Sequence, residues 1–134
     1  MISTRGRYAL RFLVDLAENQ GDGFIALKDI AARQELSQKY AERLLAVLSD
    51  KNIVAAKHGK GGGYKLNRKP DKYKVSEILI AMDEELAPVA CLACGGDGCD
   101  RADGCRTLPM WKEFYGVVNN FFDNITLADL MQKN

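Results

Sequence analysis

Four cysteines, Cys91, Cys94, Cys99 and Cys105, fall within fifteen positions in the string CLACGGDGCDRADGC, and none occurs elsewhere in the 134-residue chain. Buried structural thiols scatter through helices. Thiols gathered on an acidic, glycine-bearing stretch read instead as a metal site or a thiol redox switch. Disulfides are disfavoured, because the N-terminus, MISTRGRYAL, starts directly into a charged amphipathic pattern with no signal-peptide core. Four soft thiolates on a flexible loop suit zinc or an iron–sulfur cluster. Cys91-x-x-Cys94 is half of a zinc site, but no second C-x-x-C follows. Spacing alone leaves the two metals open.

A second group of residues suits a polyanion. Lys57, His58 and Lys60 sit in and beside HGKGGG, His58 to Gly63, between two strand-like pieces. A glycine-rich cationic hairpin tip can lie close to phosphates or enter a minor groove. It is not a nucleotide-binding loop: the G-x-x-x-x-G-K-[ST] spacing is missing and the segment joins two strands instead of opening a helix. Upstream, Ser37 is the expected N-cap of a helix whose first two turns carry Gln38, Lys39, Glu42 and Arg43. Polar side chains at a helix N-terminus reach base edges when the helix enters a major groove. The single histidine lies on the hairpin tip and no nucleophile–base pair can be placed, so enzymatic activity is not expected.

The elements that must position these groups follow from periodicity. Residues 7–19 place Ala9, Phe12, Leu13, Leu16 and Ala17 on one helical stripe. Gly21-Asp22-Gly23 ends that helix, Phe24 to Ala26 is a short β-like piece, and Leu27 to Arg33 forms a second helix lacking an N-cap side chain. The third helix, Gln38 to Lys51, buries Leu44, Leu45, Val47 and Leu48. Ile53 to Lys57 and Tyr64 to Leu66 pair as strands. Helix, helix, turn, helix, strand, cationic hairpin is the order of a winged helix-turn-helix. A helix near Val75 to Met82 follows, then the cysteine-bearing residues 83–106. From Leu108 the residues Trp111, Phe114, Tyr115, Val118, Phe121 and Phe122 recur at spacings of three and four. Such a stripe needs a partner surface. In a DNA reader, a dimerisation helix is the economical use, since two-fold symmetry doubles the contacts and reads a palindromic site. Thr126 to Asp129 is a capping box, with Asp in place of Glu, opening a last short helix.

Charge divides the same way. Residues 1–74 hold 15 Lys/Arg against 8 Asp/Glu, and residues 75–134 hold 4 against 10, so a net charge of +1 conceals a basic front and an acidic rear. That asymmetry suits a polyanion held on one face. No apolar run reaches the roughly 18 residues of a membrane span, and a cytoplasmic protein with no membrane partner is expected. The expected fold is mostly α with a small β-hairpin wing. It comprises a winged helix-turn-helix DNA-binding domain over 1–74 and a rear region, 75–134, with the cysteine loop (83–106) and dimerisation helices.

STRGRYAL at the start, LSQKYAERLL in the third helix, GKGGGYKL in the wing, the cysteine loop, CRTLPMW and FFDNITLADLM follow one another nearly end to end. In these motifs the chain resembles the IscR/NsrR/RirA group of winged-helix regulators (the Rrf-two family), closest to the IscR pattern. The resemblance implies a homodimer, crossed through the long C-terminal helix, that binds double-stranded promoter DNA. It also implies a 2Fe–2S or 4Fe–4S cluster on three cysteines, whose spacing matches Cys91, Cys99 and Cys105. Carried over by position, Gln38, Lys39, Tyr40, Glu42 and Arg43 sit where the recognition helix meets DNA, with Arg5 and Arg7 at phosphates. Packing in the core is the competing role for Tyr40. Three positions depart from the pattern. Leu108 stands where IscR-like members carry a ligating histidine, Arg7 where some nitric-oxide sensors supply a carboxylate, and His58 where the wing is often Arg. The fourth ligand is therefore open, with Cys94 the first candidate and a residue of the second protomer the next. The alternatives are the same DNA-binding fold with a zinc-binding or thiol-redox loop, or a cluster scaffold that does not bind DNA.

Overall fold

The computed structural model describes residues 2–21, 23–93 and 99–131. Among the described residues, six α-helices and one β-hairpin run in the expected order. Helix α1 (Thr4–Asn19) starts ahead of its apolar stripe because the Ser3 hydroxyl accepts the Gly6 N–H and so caps the first turn. Its inner face buries Ala9, Phe12, Leu13 and Leu16. Helix α2 (Leu27–Arg33) has no side-chain N-cap, and its C-cap Gln34 is followed by Glu35, a non-glycine residue at φ 55°. That left-handed residue makes the turn into α3 (Gln38–Asp50), whose Ser37 cap accepts the Tyr40 N–H at 3.2 Å. Strands β1 (Val54–Lys57) and β2 (Gly63–Leu66) are antiparallel, with Val54 opposite Leu66 and Lys57 opposite Gly63. Ile25 pairs with Tyr64 through two backbone hydrogen bonds of 2.8 and 2.9 Å, so the β-like piece 24–26 flanks β2.

One core joins these elements. Phe12, Leu13, Leu16, Ile30, Leu45 and Leu48 are fully buried in it, each side chain contributing about 1.5–3 kcal/mol by removal from water. The same core takes in Ile78 and Met82, from α4 (Val75–Ala81) and its C-cap, and Leu127 from α6 (Leu127–Leu130). Its polar anchor is Tyr73. That buried hydroxyl donates to the Ile53 carbonyl at 2.6 Å and accepts the N–H groups of Asn67 at 2.8 Å and Arg68 at 3.1 Å. The chain end is laced alongside: Val75 donates its N–H to the Ile125 carbonyl and Leu127 to that of Tyr73. The Thr126 capping box forms in full, with the Asp129 carboxylate accepting the Thr126 N–H and the Thr126 hydroxyl accepting the Asp129 N–H.

Helix α5 (Leu108–Asp123) is different. Tyr115, Val118 and Phe122 pack on a small second cluster of Val75, Leu79 and Leu86, yet no residue of α5 is itself buried. Met110, Phe114, Val117 and Phe121 face solvent. None of the helices among the described residues is long and apolar enough to cross a membrane.

Candidate nucleic-acid interface and cysteine segment

Five of the fifteen basic residues of the front half, Lys39, Arg43, Lys57, Lys60 and Lys65, lie on α3 and the hairpin. Gln38, Lys39, Glu42 and Arg43 are all exposed on the first turns of α3, as are Lys57, His58 and Lys60 on the hairpin. Tyr40 is half-buried: its ring meets the Tyr8 ring edge-on, centroids 6.0 Å apart, and Arg11 lies over the other ring at 4.9 Å. This ring contact ties the first turn of α3 to α1 and leaves part of Tyr40 exposed beside Lys39 and Arg43. Burial first, then the Glu42 carboxylate, pushes the pKa of the Tyr64 phenol up. On the first turn of α1, Arg5 pairs with Asp83 at 3.4 Å and Arg7 donates to the Thr4 hydroxyl at 3.1 Å, both arginines remaining exposed.

A buried acid holds α1 and α2 at their mutual angle. Asp15, almost wholly enclosed, accepts Arg33 through two hydrogen bonds of 2.9 and 2.6 Å and the Gln34 amide at 2.9 Å. At the hairpin tip, backbone permissiveness is required rather than incidental. Gly59 and Gly61 adopt positive φ, and a Cβ on Gly62 would overlap the Lys57 carbonyl.

The rear half carries the thiols. Cys99 is exposed and Cys91 and Cys105 half-exposed, all three as free thiols, whereas Cys94 lies outside the described residues. Among the described residues no three His, Cys, Asp or Glu side chains stand close enough to hold a metal ion. Two of the three sulfurs have hydrogen-bond partners. The Arg101 N–H reaches Cys99 Sγ at 3.4 Å, and the Thr107 hydroxyl stands 3.5 Å from Cys105 Sγ. The Thr107 hydroxyl, then the N–H groups of Thr107 and Leu108 at the start of α5, hold the Cys105 thiol below its ordinary range. Thiolates with N–H donors fit the ligand chemistry of a thiolate-bound metal centre.

Between the two halves stands Glu84, which the sequence did not single out. Its carboxylate accepts the N–H groups of Ser3 at 3.1 Å and Gly6 at 3.0 Å, and also the Ser3 hydroxyl. Glu84 therefore completes the cap of α1 from 78 residues away, next to the Arg5–Asp83 pair. No local pattern announces a cap supplied across that separation. Lys65 was also missed. The hairpin register places it on the face of Lys57, which alternation on either side of the turn could have revealed.

Comparison with known proteins agrees with these features. A family model described as Iron-dependent Transcriptional regulator (Rrf2) matches residues 2–133. The chain is 35% identical over 133 residues to the HTH-type transcriptional regulator IscR of Aliivibrio salmonicida, covering 99% of this chain and 78% of that one. It is 35% identical over 130 residues to IscR of Sodalis glossinidius, covering 97% and 78%. Among solved structures it resembles CymR, the global cysteine regulator of B. subtilis, with TM-score 0.79, 32% identity and coverage of 97% and 95%. It also resembles T. potens IscR, with TM-score 0.72, 32% identity and coverage of 97% and 85%.

Proposed function

The chain belongs to the Rrf2 family of winged helix-turn-helix transcriptional regulators, and from that premise we propose that it binds promoter DNA as a homodimer and senses through an iron–sulfur cluster on its cysteine segment. The observation that carries the proposal is the pairing of an exposed cationic helix-and-hairpin surface with a four-thiol segment, joined by Glu84. The chain is a regulator and not an enzyme.

In this reading α3 enters the major groove. Gln38, Lys39, Glu42 and Arg43 face base edges and phosphates, with Ser37 at the helix start. Glu42 favours discrimination over affinity, because a carboxylate accepts from a cytosine amine and is repelled by phosphate. Lys57, His58 and Lys60 meet the backbone or a minor groove, and Arg5 and Arg7 approach phosphates at the edge of the site. The exposed apolar face of α5 takes a second copy of the chain, which sets two recognition helices on a palindrome.

Cys91, Cys99 and Cys105, with Cys94 as fourth ligand, would hold the cluster. Such a group supplies a centre whose redox state and ligation respond to the cell. The chain's own part is to pass the state of that segment forward. Asp83 and Glu84 lead into it and grip the first turn of α1, so an ordered segment fixes that turn, and with it the Tyr8–Tyr40 contact that seats α3. The outcome is a shift between populations that differ in DNA affinity.

Purification without oxygen, with visible absorption and iron, sulfide and zinc assays, tests the sensor. Broad charge-transfer bands with matching iron and sulfide are expected; a colourless protein with stoichiometric zinc would replace the cluster with a zinc site. Cys91→Ala or Cys105→Ala should change DNA affinity, and unchanged affinity at every target would break the coupling. A second reading, a thiol switch, is favoured by the activated Cys105 thiol and by the similarity to S. aureus CymR, solved in an oxidised form, at 26% identity. Reversible loss of DNA binding on mild oxidation of metal-free protein would select it.

A further inference from the structure

Phe24 lies outside every motif read from the sequence, and it stands at the root of the hairpin. Ile25 is bonded to Tyr64 on the outer edge of β2, so residue 24 is the cross-strand neighbour of Lys65. In the hairpin register Ala55 lies opposite Lys65 and Lys57 opposite Gly63, which puts Lys57 and Lys65 on the same face as diagonal neighbours. The position between them on that face is Gly63. It has no side chain, and a Cβ there would overlap the Ile25 carbonyl. The half-buried Phe24 ring lies beside both lysines, with Lys65 Nζ 4.9 Å and Lys57 Nζ 5.9 Å from its centroid. Both distances are within the reach of a cation–π contact, about 6 Å.

We infer that Phe24 is a positioning residue for DNA binding: its ring is a platform that holds the Lys57 and Lys65 ammonium groups together as one cationic pair on the hairpin. A lysine has several rotatable bonds and loses much rotamer freedom when it is fixed at a phosphate. Two ammonium groups already drawn to one ring have lost part of that freedom before DNA arrives, and their mutual repulsion is offset by the ring's electron-rich faces. The surroundings fit such a use. Lys57 also lines a cleft of about 290 Å³ between the hairpin and the start of α2, with Lys28 and His58 on its walls. The inference rests on the reading that the hairpin faces DNA.

The competing role for Phe24 is apolar cover for the hairpin root, which leucine would also supply. The comparison is therefore of the full chain with its Phe24→Leu and Phe24→Trp variants. Two readouts are needed: lysine ε-methylene proton shifts in the free protein, and affinity for sheared mixed-sequence duplex DNA over a series of salt concentrations. The wild-type Lys57 and Lys65 ε-methylenes should show upfield ring shifts, lost in Phe24→Leu and kept in Phe24→Trp. Phe24→Leu should bind the duplex about threefold to tenfold more weakly at low salt. Its plot of log affinity against log salt should be shallower by about one to two, the contribution of one or two phosphate contacts. Phe24→Trp should restore both, and in a chain already carrying Lys57→Gln and Lys65→Gln the Phe24→Leu change should add nothing.

Absent ring shifts would overturn the inference without touching the proposed function. So would a Phe24→Leu salt slope equal to wild type, since any loss of affinity would then be structural. Failure of the wild-type chain to bind the duplex at all, with ring shifts present, would remove the nucleic-acid reading and this inference with it.

Discussion

Helices α1 and α5 are each 16 residues long and amphipathic, yet α1 buries six residues and α5 none. The apolar stripe of α1 lies against α2, α3, the hairpin and α6, all from its own chain. That of α5 packs on Val75, Leu79 and Leu86 on one side and, among the described residues, leaves Met110, Phe114, Val117 and Phe121 exposed. The polar groups divide likewise. Asp15 and Tyr73 in the front half have their partners in place, whereas the described cysteines in the rear half are not gathered around one point. In the proposed function a second copy covers α5 and a cluster gathers the thiols.

The sharpest way to break this contrast is to make the open face of α5 polar. Val117→Glu with Phe121→Glu should weaken self-association at least about a thousandfold, about 4 kcal/mol, because carboxylates would be buried without partners. Sedimentation velocity over a concentration series measures it, and far-ultraviolet circular dichroism checks that the front half stays folded. An unchanged sedimentation coefficient would mean that this face covers something other than a second copy.

The converse test attacks the finished half. Asp15→Ala strands Arg33 and Gln34 at the junction of α1 and α2. Arg33 keeps more than a third of its surface in water, so it rehydrates in part and the loss is less than for a fully enclosed pair. A destabilisation of about 2–3 kcal/mol is expected in urea unfolding. The variant should also lose DNA affinity in proportion to the unfolded fraction only. A stability loss under about 0.5 kcal/mol would mean the pair is a surface feature, despite the burial of Asp15.

The difference between the halves also explains what the sequence disclosed. Elements whose signals are local were legible: the stripe of α1, the Ser37 cap, the glycine hairpin and the Thr126 capping box all stand where their residue types put them. The aromatic spacing of 108–122 correctly indicated a helix, whose apolar face the described residues leave largely exposed. Contacts across the chain were not legible. Leu127 is fully buried in the front core although it follows α5, and nothing in its neighbours signals that return. Nor does any local pattern announce the edge contact between the Tyr40 and Tyr8 rings. The early start of α1 was missed because the stripe begins later than the cap. The cysteine string was legible as chemistry and not as geometry, since four thiols on a glycine loop specify what they bind better than how they converge.

The smallest effect falls on Glu84, the contact that joins the two halves. Burial pushes its pKa up, but the Ser3 hydroxyl, the Ser3 and Gly6 N–H groups and the nearby Arg5 outweigh that and leave it below the ordinary carboxylate value. A folded-state pKa depressed in this way adds stability that is present above the unfolded value, near 4.3, and is lost as pH falls through the folded value. Glu84→Gln should therefore cost stability at neutral pH, by about 0.5–2 kcal/mol as for loss of a helix cap. The gap from wild type should close on acidification below about pH 4. Urea midpoints from neutral to acid pH measure this. If the gap stays constant with pH, the glutamine loss is steric and the charge on Glu84 does not hold α1. If it closes, the same variant should also uncouple DNA affinity from the cysteine segment, because the link runs from residues 83–84 to the first turn of α1. Equal response of the variant and wild type to Cys105→Ala would leave Glu84 as a cap and nothing more.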